Sequence, residues 1–182
     1  FNNGFELGTF QHWNTFGVNK FVVTNAPRSG TRHALVKGAG IGGDNFTGFY
    51  QDISARSGQT WRIAGYAMTP ASNRISGAST CEIKMEFLGA SGLLATHLTP
   101  LITSNLAPGV YHSFSTSAVA PAGTTIARFT VVYIQRGNAP GELFLDDASL
   151  SQTTISASGP GCQGALPDLT KAVTASDCGT VS

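Results

Sequence analysis

The side chains that could do chemistry in this chain are scattered, and their spacing matches no common catalytic motif. Glu82 and Glu86 have a spacing that can bring two carboxyls together on a strand, as a glycosidase needs, but Lys84 lies between them on the same face. The histidines lack the spacing of zinc ligands; they are His12, His33, His97 and His112. Nucleophile-elbow and phosphate-loop motifs do not occur. The sequence therefore predicts that the protein is not an enzyme, and a sandwich hydrolase or lyase is kept as an alternative.

The three cysteines favour an exported protein. Cys162 and Cys178 close a short loop in a segment rich in Gly, Ser and Thr, where a disulfide would stabilise the chain by about 3 kcal/mol. Cys81 begins a strand-like run, where a free cysteine usually packs as a small apolar residue. We therefore expect a Cys162–Cys178 disulfide, a buried free thiol at Cys81, and a secreted or extracellular location that includes a cell surface or a virion.

Composition excludes several other classes of protein. Of the 182 residues 12% are charged and 41% are hydrophobic, and the formal net charge is +1. Such a chain is too apolar for disorder and too neutral for a surface that binds nucleic acid or an acidic membrane. No apolar run has the length of a membrane span, and Phe1 does not open a signal-peptide pattern, so we expect any such peptide to have been removed or left out of this sequence. Neither nucleic acid nor a membrane is expected as a partner.

Period-two alternation is the dominant pattern, and it predicts strands. In Thr60–Met68, Cys81–Leu88 and Ile126–Ile134, apolar residues occupy every second position, which places them on one face of a strand. This register assigns four aromatic residues to the core: Phe5, Trp61, Phe87 and Phe129. Gln51 shares a face with apolar neighbours and is therefore expected to be a buried hydrogen-bonding residue rather than a ligand contact.

Short strands separated by turns, with no helix between them, predict a two-layer β protein. Turn signals rich in Gly, Pro, Ser and Asn separate the candidates. Six further strands complete the set: Lys20–Thr24, His33–Lys37, Phe49–Ala55, Leu93–Leu98, Tyr111–Ala118 and Glu142–Leu150. The predicted fold is an all-β antiparallel β-sandwich. We place this domain at residues 1–150, and we expect residues 151–182 to be an irregular linker or docking tail, since the alternation stops there.

Several segments, taken in series, resemble a known family pattern. They are Asn3-Gly4-Phe5-Glu6 with Trp13, Arg28-Ser29-Gly30 before His33–Lys37, Tyr50–Ser54 before Thr60–Met68, and Phe144–Leu150. In this order and spacing they resemble the carbohydrate-binding modules of families 4, 9, 16 and 22. The resemblance implies a galactose-binding-like jelly roll over residues 3–150. The same fold also occurs in adhesins and phage structural proteins.

The resemblance also implies a structural calcium ion. Its expected ligands are Glu6, near the first strand, and Asp146, on the last strand, because the first and last strands of such a sandwich usually lie side by side. Strict alternation would place Asp146 on the core side with Phe144, Ala148 and Leu150, where an unpaired carboxylate is costly. Asp147 is the less favoured ligand, and backbone carbonyls near His33–Lys37 are candidates for the rest of the shell. A capped or paired carboxylate is the alternative.

A sugar site on a sheet face is the second implication of the resemblance. Tyr66 stands where the family commonly has an aromatic residue, with Arg62 on the same face. Four residues on the non-core faces of two other strands are expected to complete a polar groove: Glu82, Lys84, Glu86 and Arg128. Two alternatives stay open. These side chains are ordinary solvent-facing residues, or sugar binds at the sandwich edge through loop aromatics: Trp13, Phe16 and Phe46.

The sequence therefore predicts a secreted, non-catalytic module that binds a polysaccharide or glycan and carries one structural calcium ion. Such a module would hold a catalytic domain of the same polypeptide, or a cell, close to the polysaccharide. The alternative is a structural or adhesive subunit of a virion or surface fibre that uses the same jelly roll. In that alternative, residues 151–182 dock on a neighbouring subunit.

Overall fold

Because apolar side chains recur at every second position, the strands bury one face each and pair into two packed sheets. The computed structural model describes residues 2–153. Its strands are β1 (Asn14–Phe16), β2 (Lys20–Val23), β3 (His33–Lys37), β4 (Asn45–Ser54), β5 (Thr60–Met68), β6 (Thr80–Gly89), β7 (Gly92–Leu98), β8 (His112–Val119), β9 (Thr124–Gln135) and β10 (Glu142–Thr153). A 3-10 helix, Ala71–Asn73, follows β5.

Two five-stranded antiparallel sheets make up the sandwich. Sheet A has the strand order β1-β4-β9-β6-β7, and sheet B has the order β2-β3-β10-β5-β8. The predicted all-β antiparallel sandwich is confirmed. The alternation places Ile63 of β5, Met85 of β6 and Phe129 of β9 in one core between the sheets, with no exposed surface.

The structure differs from the predicted strands mainly at their ends. β4 begins at Asn45, four residues before the predicted Phe49, and β10 runs past Leu150 to Thr153. β1 was not predicted; it is a three-residue edge strand paired with β4. The predicted boundary at Leu150 therefore falls inside β10. Of the predicted tail, residues 154–182 lie outside the described residues.

The N-terminal residues 2–13 form no strand and are held in place by an aromatic cluster. Phe5 is fully buried at φ 58°, and its ring stacks on Trp13 at 5.5 Å and meets Phe49 edge-on at 5.7 Å. The indole Nε1 of Trp13 donates to the carbonyl of Asn2. Trp13 is thus a core residue, so the alternative of a sugar site at the sandwich edge is wrong for this one of its three loop aromatics.

A bulge in β10 overturns the predicted register of that strand. The pairing with β5 shifts between Asp146 and Ser149, and Asp147 adopts a left-handed φ of 51°. Leu145 therefore faces the main core before the bulge and Ala148 faces it after the bulge, whereas Phe144 belongs to a separate cluster with Leu35 and Met68. The prediction of Phe144 and Asp146 on the core side is wrong, because one extra residue in a bulge inverts the alternation.

Two smaller predictions are confirmed. Cys81 is a fully buried free thiol, and burial raises the pKa of this thiol well above its ordinary value. Gln51 is buried and donates from its side-chain amide to the carbonyl of His12. The predicted pair Cys162 and Cys178 lies outside the described residues. Within residues 2–153, no helix has the length and apolar character of a membrane span.

Candidate functional site

The six residues expected to bind sugar lie on two opposite faces of the sandwich. Arg62 and Tyr66 are on β5, on the outer face of sheet B. The other four are on β6 and β9, on the outer face of sheet A: Glu82, Lys84, Glu86 and Arg128. The prediction of one shared groove is therefore wrong. Alternation identified which side chains point outward, but it does not specify which sheet a strand joins.

The outer face of sheet A holds a set of neighbouring charged and polar side chains, which we call the polar face. Its members are Tyr50, Asp52, Glu82, Lys84, Glu86, Arg128 and Thr130. Cross-strand register brings them together: Lys84 and Tyr50 both pair with Thr130, and Glu86 and Asp52 both pair with Arg128. Six of these side chains therefore lie in two adjacent rows across β4, β9 and β6, and Glu82 lies in the next row, opposite Val132.

Arg128 is the centre of the polar face. Its guanidinium donates from Nε to Oδ1 of Asp52 at 2.6 Å and from Nη2 to Oδ2 at 2.9 Å, a bidentate pair. The same guanidinium lies over the Tyr50 ring, 3.9 Å from its centroid. The Asp52 carboxylate raises the pKa of Arg128 above its ordinary value. Arg128 is consequently fixed in charge and in orientation.

A second chain of contacts crosses the same face. The hydroxyl of Thr130 donates to Oε2 of Glu86 at 2.6 Å. Lys84 Nζ lies 3.5 Å from Oε1 of Glu86 and 3.2 Å from Oε2 of Glu82. Each of these three charged side chains keeps only 14 to 27% of its surface exposed. The arrangement presents fixed acceptors and donors to solvent instead of mobile charges.

Two further aromatic residues border the polar face. Phe16 of β1 lies across Gly48, which faces it in the register; a Cβ at Gly48 would come within 2.6 Å of the Phe16 ring. Phe46 shares the outer face of β4 with Tyr50 and is 53% exposed. Both were predicted only as edge aromatics, as an alternative to a face site. In the structure, both rings lie beside the charged residues that were predicted to bind sugar. The aromatic residues of the predicted edge site and the charged residues of the predicted face site therefore belong to one surface.

Tyr66, the expected aromatic of the sugar site, is covered. The guanidinium of Arg28 lies 3.4 Å from the Tyr66 ring centroid and pairs with the carboxylate of Asp147 at 2.5 Å. The hydroxyl of Tyr111 donates to the carbonyl of Ala26 at 3.1 Å, which ties the same segment to the sheet. The β2–β3 connection, residues 24–32, thus covers one end of the outer face of sheet B.

A small second core lies on this covered end of sheet B. His33 is fully buried and packs against the Phe144 ring at 4.3 Å, near the cluster of Leu35, Met68 and Phe144. Neither ring nitrogen of His33 has a hydrogen-bond partner within residues 2–153. Burial lowers the pKa of His33 to about 4, so the ring is neutral near pH 7.

Asp146 is a buried carboxylate held by backbone N–H groups. Its Oδ2 accepts from the N–H of Arg28 at 2.9 Å and of Ser29 at 3.2 Å, and its Oδ1 accepts from the N–H of Asp147 at 2.8 Å. Burial is the largest influence on this group and raises its pKa. The cost of ionising Asp146 in this position is therefore only partly offset by the three donors.

Glu6 lies close to Asp146, as predicted, although the expected reason is wrong. β1 pairs with β4, not with the last strand; instead, the carbonyl of Asn3 accepts from the N–H of Ala148 at 2.9 Å and holds the N-terminal segment on β10. Glu6 accepts from the hydroxyl and N–H of Thr31 and from the N–H of Arg32. The Thr31 hydroxyl is the main reason that the pKa of Glu6 is lowered.

The residues around these two carboxylates fit a hard cation. A Cβ at Gly4 would lie 3.6 Å from Oδ1 of Asp146 and 3.7 Å from Oε1 of Glu6, so both oxygens face the same space, which the glycine leaves open. Oxygen ligands are what Ca²⁺ requires. Among residues 2–153, Oδ1 of Asp146 accepts one hydrogen bond, from the N–H of Asp147, whereas Oε1 of Glu6 accepts two, from the N–H groups of Thr31 and Arg32. Within residues 2–153, no three His, Cys, Asp or Glu side chains cluster as metal ligands, so a shell here would need backbone carbonyls.

Sequence reasoning missed Tyr50, Asp52 and Arg28 as site residues. Tyr50 and Asp52 flank the buried Gln51 at the two positions that alternation points outward, so the signal was present in the sequence. Arg28 had no comparable signal, because its stacking on Tyr66 depends on how the β2–β3 connection folds back.

No protein-family model matches the chain, and no curated protein matches it by sequence. Solved structures do resemble it. The C-terminal family 22 carbohydrate-binding module of Clostridium thermocellum Xyn10B aligns with a TM-score of 0.58 and 18% identity, over 82% of this chain and 90% of that one.

Two larger proteins contain the same fold. The enzymatically active domain of bacteriophage CBA120 tailspike protein 4 aligns with a TM-score of 0.60 and 12% identity, and 84% of this chain spans 21% of that chain. A Clostridium thermocellum xylanase chain, with family 22 and catalytic GH10 modules and complexed with xylohexaose, aligns with a TM-score of 0.57 and 15% identity over 84% of this chain and 28% of that one. Residues 2–153 therefore have the β-sandwich jelly-roll fold of these carbohydrate-binding modules.

Proposed function

We propose that this protein is a non-catalytic polysaccharide-binding module and that the polar face is its glycan site. One observation carries the proposal: four of the six residues expected from the sequence lie on this face, in two neighbouring groups of contacts that also include Tyr50 and Asp52. Carboxylates, guanidinium groups and hydroxyls bond sugar hydroxyls, and aromatic rings pack against sugar C–H groups. Side chains that already hold one another in position lose little conformational entropy on binding.

The charges of the polar face favour a neutral glycan. Both cations are already paired with carboxylates, Arg128 with Asp52 and Lys84 with the two glutamates. The three carboxylates therefore leave the face with a formal excess of negative charge. An acidic polysaccharide would be repelled, whereas the hydroxyls of a neutral one find both donors and acceptors.

Location and partners follow from the same proposal. A secreted or extracellular module would act by holding a catalytic domain of the same polypeptide, or a neighbouring subunit, near the polysaccharide. The xylanase chain in which this fold is joined to a GH10 module supports that arrangement. Binding by one module of this kind is of modest affinity, so repeated or linked modules would gain strongly from avidity.

A structural calcium ion is included in the proposal. Glu6 and Asp146 would hold it, with backbone carbonyls of the surrounding segments as further ligands. A divalent cation there would offset the cost of the buried Asp146 carboxylate and tie the N-terminal segment to β10.

A binding assay with face-specific variants tests the glycan site. Affinity electrophoresis against neutral polysaccharides (xylan, β-glucan, galactan, mannan) would compare the wild type with Tyr50→Ala and Glu86→Gln. We expect each variant to bind its best polysaccharide at least about tenfold more weakly, which is about 1.4 kcal/mol. Tyr66→Ala, on the opposite face, is the matched control and should bind within about twofold of wild type if its fold is intact.

Two results would contradict the proposal. The first is loss of binding in Tyr66→Ala with binding retained in Tyr50→Ala, which would return the site to sheet B. The second is no retention of the wild type by any polysaccharide of the panel. Release of reducing ends from the same polysaccharides would contradict the non-catalytic part.

The similarity to a tailspike domain favours one other function, a structural or adhesive subunit of a virion or surface fibre. In this case residues 151–182 would contact a neighbouring subunit. Light scattering on the full 182-residue chain distinguishes the two. A monomer that binds glycan supports the module, and a stable oligomer without glycan affinity supports the fibre subunit.

A further inference from the structure

The open end of the outer face of sheet B forms a groove with a regular layout. The groove has a volume of about 200 Å³, and its lining includes Arg62, Ala64 and Tyr66 of β5. Cross-strand pairing flanks Ala64 with Ser115 and Ser149. The small side chain of Ala64 makes the floor, and the neighbouring hydroxyls make the walls.

The neighbouring row across the three strands also has two serines, and here they flank Arg62 instead of Ala64. Arg62 pairs with Ser117 on β8 and with Ser151 on β10, so a guanidinium stands between two serines. At the other end of the groove, Tyr66 pairs with Ser113. Because residues on one strand face repeat at about 6.6 Å, the Arg62 and Tyr66 positions are about 13 Å apart. The groove thus has a guanidinium at one end, an aromatic ring at the other and hydroxyls between them.

The Arg62 guanidinium has no acidic partner in the described part of the chain. Among residues 2–153 it forms no ion pair, in contrast to Arg128 on the opposite face. The sequences of β5 and β8 contain no Asp or Glu, and the side chain of Arg62 is exposed. At the Tyr66 end, Arg28 is already neutralised by Asp147. The free positive charge of the groove is therefore concentrated at Arg62.

We propose that this groove is a second saccharide site, independent of the polar face, and that it binds an acidic sugar. The Arg62 fork would take the anionic group of the sugar, a carboxylate or a sulfate ester, in a bidentate arrangement. Ser113, Ser115 and Ser117 would bond the ring hydroxyls of the same and adjoining sugars. The edge of Tyr66 that Arg28 leaves uncovered would pack against the sugar at the far end.

Isothermal titration of the full chain with three matched trisaccharides tests this site: trigalacturonate, its neutral counterpart galactotriose, and a sulfated galactotriose. The variants are Arg62→Gln, Arg62→Lys and Ser115→Val, with Arg74→Gln as the control. Arg74 is an exposed arginine outside the groove, so its substitution removes the same charge elsewhere.

We expect the wild type to bind at least one anionic trisaccharide about tenfold more tightly than the neutral one at low salt. Most of this preference should be lost in roughly 0.5 M NaCl, because the Debye length is then only about 4 Å and the charges are screened. Arg62→Gln should abolish the preference, Arg62→Lys should retain part of it, and Ser115→Val should weaken binding about threefold. Arg74→Gln should leave the preference unchanged, and the polar-face variant Tyr50→Ala should leave the affinity for the anionic trisaccharide unchanged. Thermal melts of each variant confirm that it folds.

The trisaccharide that binds more tightly shows whether the site prefers a uronate or a sulfate ester. In either case, weaker binding of that trisaccharide in Arg62→Gln supports the site. Equal binding of the neutral and anionic sugars overturns the proposal. An equal loss in Arg74→Gln also overturns it, because binding would then depend only on total charge. Loss of neutral-polysaccharide binding in Tyr50→Ala, with acid binding intact, separates this site from the polar face.

Discussion

The two outer faces of the sandwich are built from strands of the same kind, but they differ in how their charged side chains are paired and buried. On sheet A, Arg128 and Lys84 are matched by carboxylates across the strands, and the whole network remains at the surface. On sheet B, the β2–β3 connection buries Asp146 and His33 at one end, while Arg62 at the other end has no acidic partner within residues 2–153. An ion pair at the surface contributes little to the free energy of unfolding, whereas a buried charge is tolerated only if the groups around it form hydrogen bonds to it.

This difference predicts that substitutions on the two faces have very different effects on stability. Asp146→Ala should lower the free energy of unfolding by about 3 to 5 kcal/mol, because three backbone N–H groups lose their acceptor in a buried place. Urea denaturation measures this. Asp147→Asn, which removes the charge of a partly exposed ion pair but keeps a side-chain oxygen for the Ser29 hydroxyl and a residue that tolerates the left-handed φ, is the control and should cost about 1 kcal/mol or less. Similar losses in both variants would show that Asp146 is not specially placed.

The buried end of sheet B should also make stability depend on pH. His33 has a folded-state pKa of about 4 and an unfolded value near 6.5. The unfolded chain therefore takes up a proton first as the pH falls, and stability should decline between about pH 6.5 and pH 4, by up to about 3 kcal/mol. Denaturation midpoints across this range measure the slope.

His33→Leu provides the control for that prediction. This variant keeps an apolar side chain against Phe144 and removes the titrating group. Its stability should fall less steeply over the same pH range. An unchanged slope would assign the pH dependence to groups other than His33. Glu6 contributes little to this range, because a carboxyl with a lowered pKa loses its stabilising contribution only below its ordinary value of 4.5.

A calcium ion held by Glu6 and Asp146 should stabilise the buried end of sheet B further. At a free calcium concentration about 100 times the dissociation constant, binding to the folded state alone adds about 2.7 kcal/mol, a rise in Tm of roughly 5 to 10 °C. Thermal melts with calcium and with a chelator measure it, and magnesium serves as the comparison ion. Glu6→Gln should reduce the rise. Identical melting temperatures with calcium and with chelator would reject the calcium site.

The smallest effect is expected on the polar face. A double-mutant cycle of Asp52→Ala and Arg128→Ala should give a coupling energy of about 1 kcal/mol or less, since both side chains are partly exposed. The coupling should weaken in high salt. A coupling of several kcal/mol would mean that the polar face is a structural element as much as a binding surface.

The local pattern of the sequence was enough to predict most of the fold. Strands with clean alternation, such as Cys81–Leu88, were predicted within one residue of their observed ends, because burial of one face fixes which side chains point inward. β10 defeated the same reasoning, since the bulge at Asp147 reverses the alternation and nothing local in the sequence marks it. The short β1 has too few residues for alternation to be visible.

The candidate site was predicted only in part, for a related reason. Alternation gave the outward direction of Arg62 and of Glu86 correctly, but not the sheet to which each belongs. Sheet membership depends on pairing between distant strands, such as β6 with β9 and β5 with β10. The two sets of residues consequently lie on opposite faces, although they are close in sequence.

By itself the sequence determined that this chain is a β-sandwich and that Cys81 is buried. Both follow from side-chain periodicity, which is a local property of the chain. The sequence led us to expect Glu6 near Asp146, but the contact of the N-terminal segment with β10 that brings them together was not predicted. Only the tertiary structure decided that Arg128 is paired and that Arg62 has no acidic partner within residues 2–153, because the partners of a charge are set by strand order and by how a connecting segment folds over a sheet. Periodicity specifies the direction of a side chain, and packing decides what it meets.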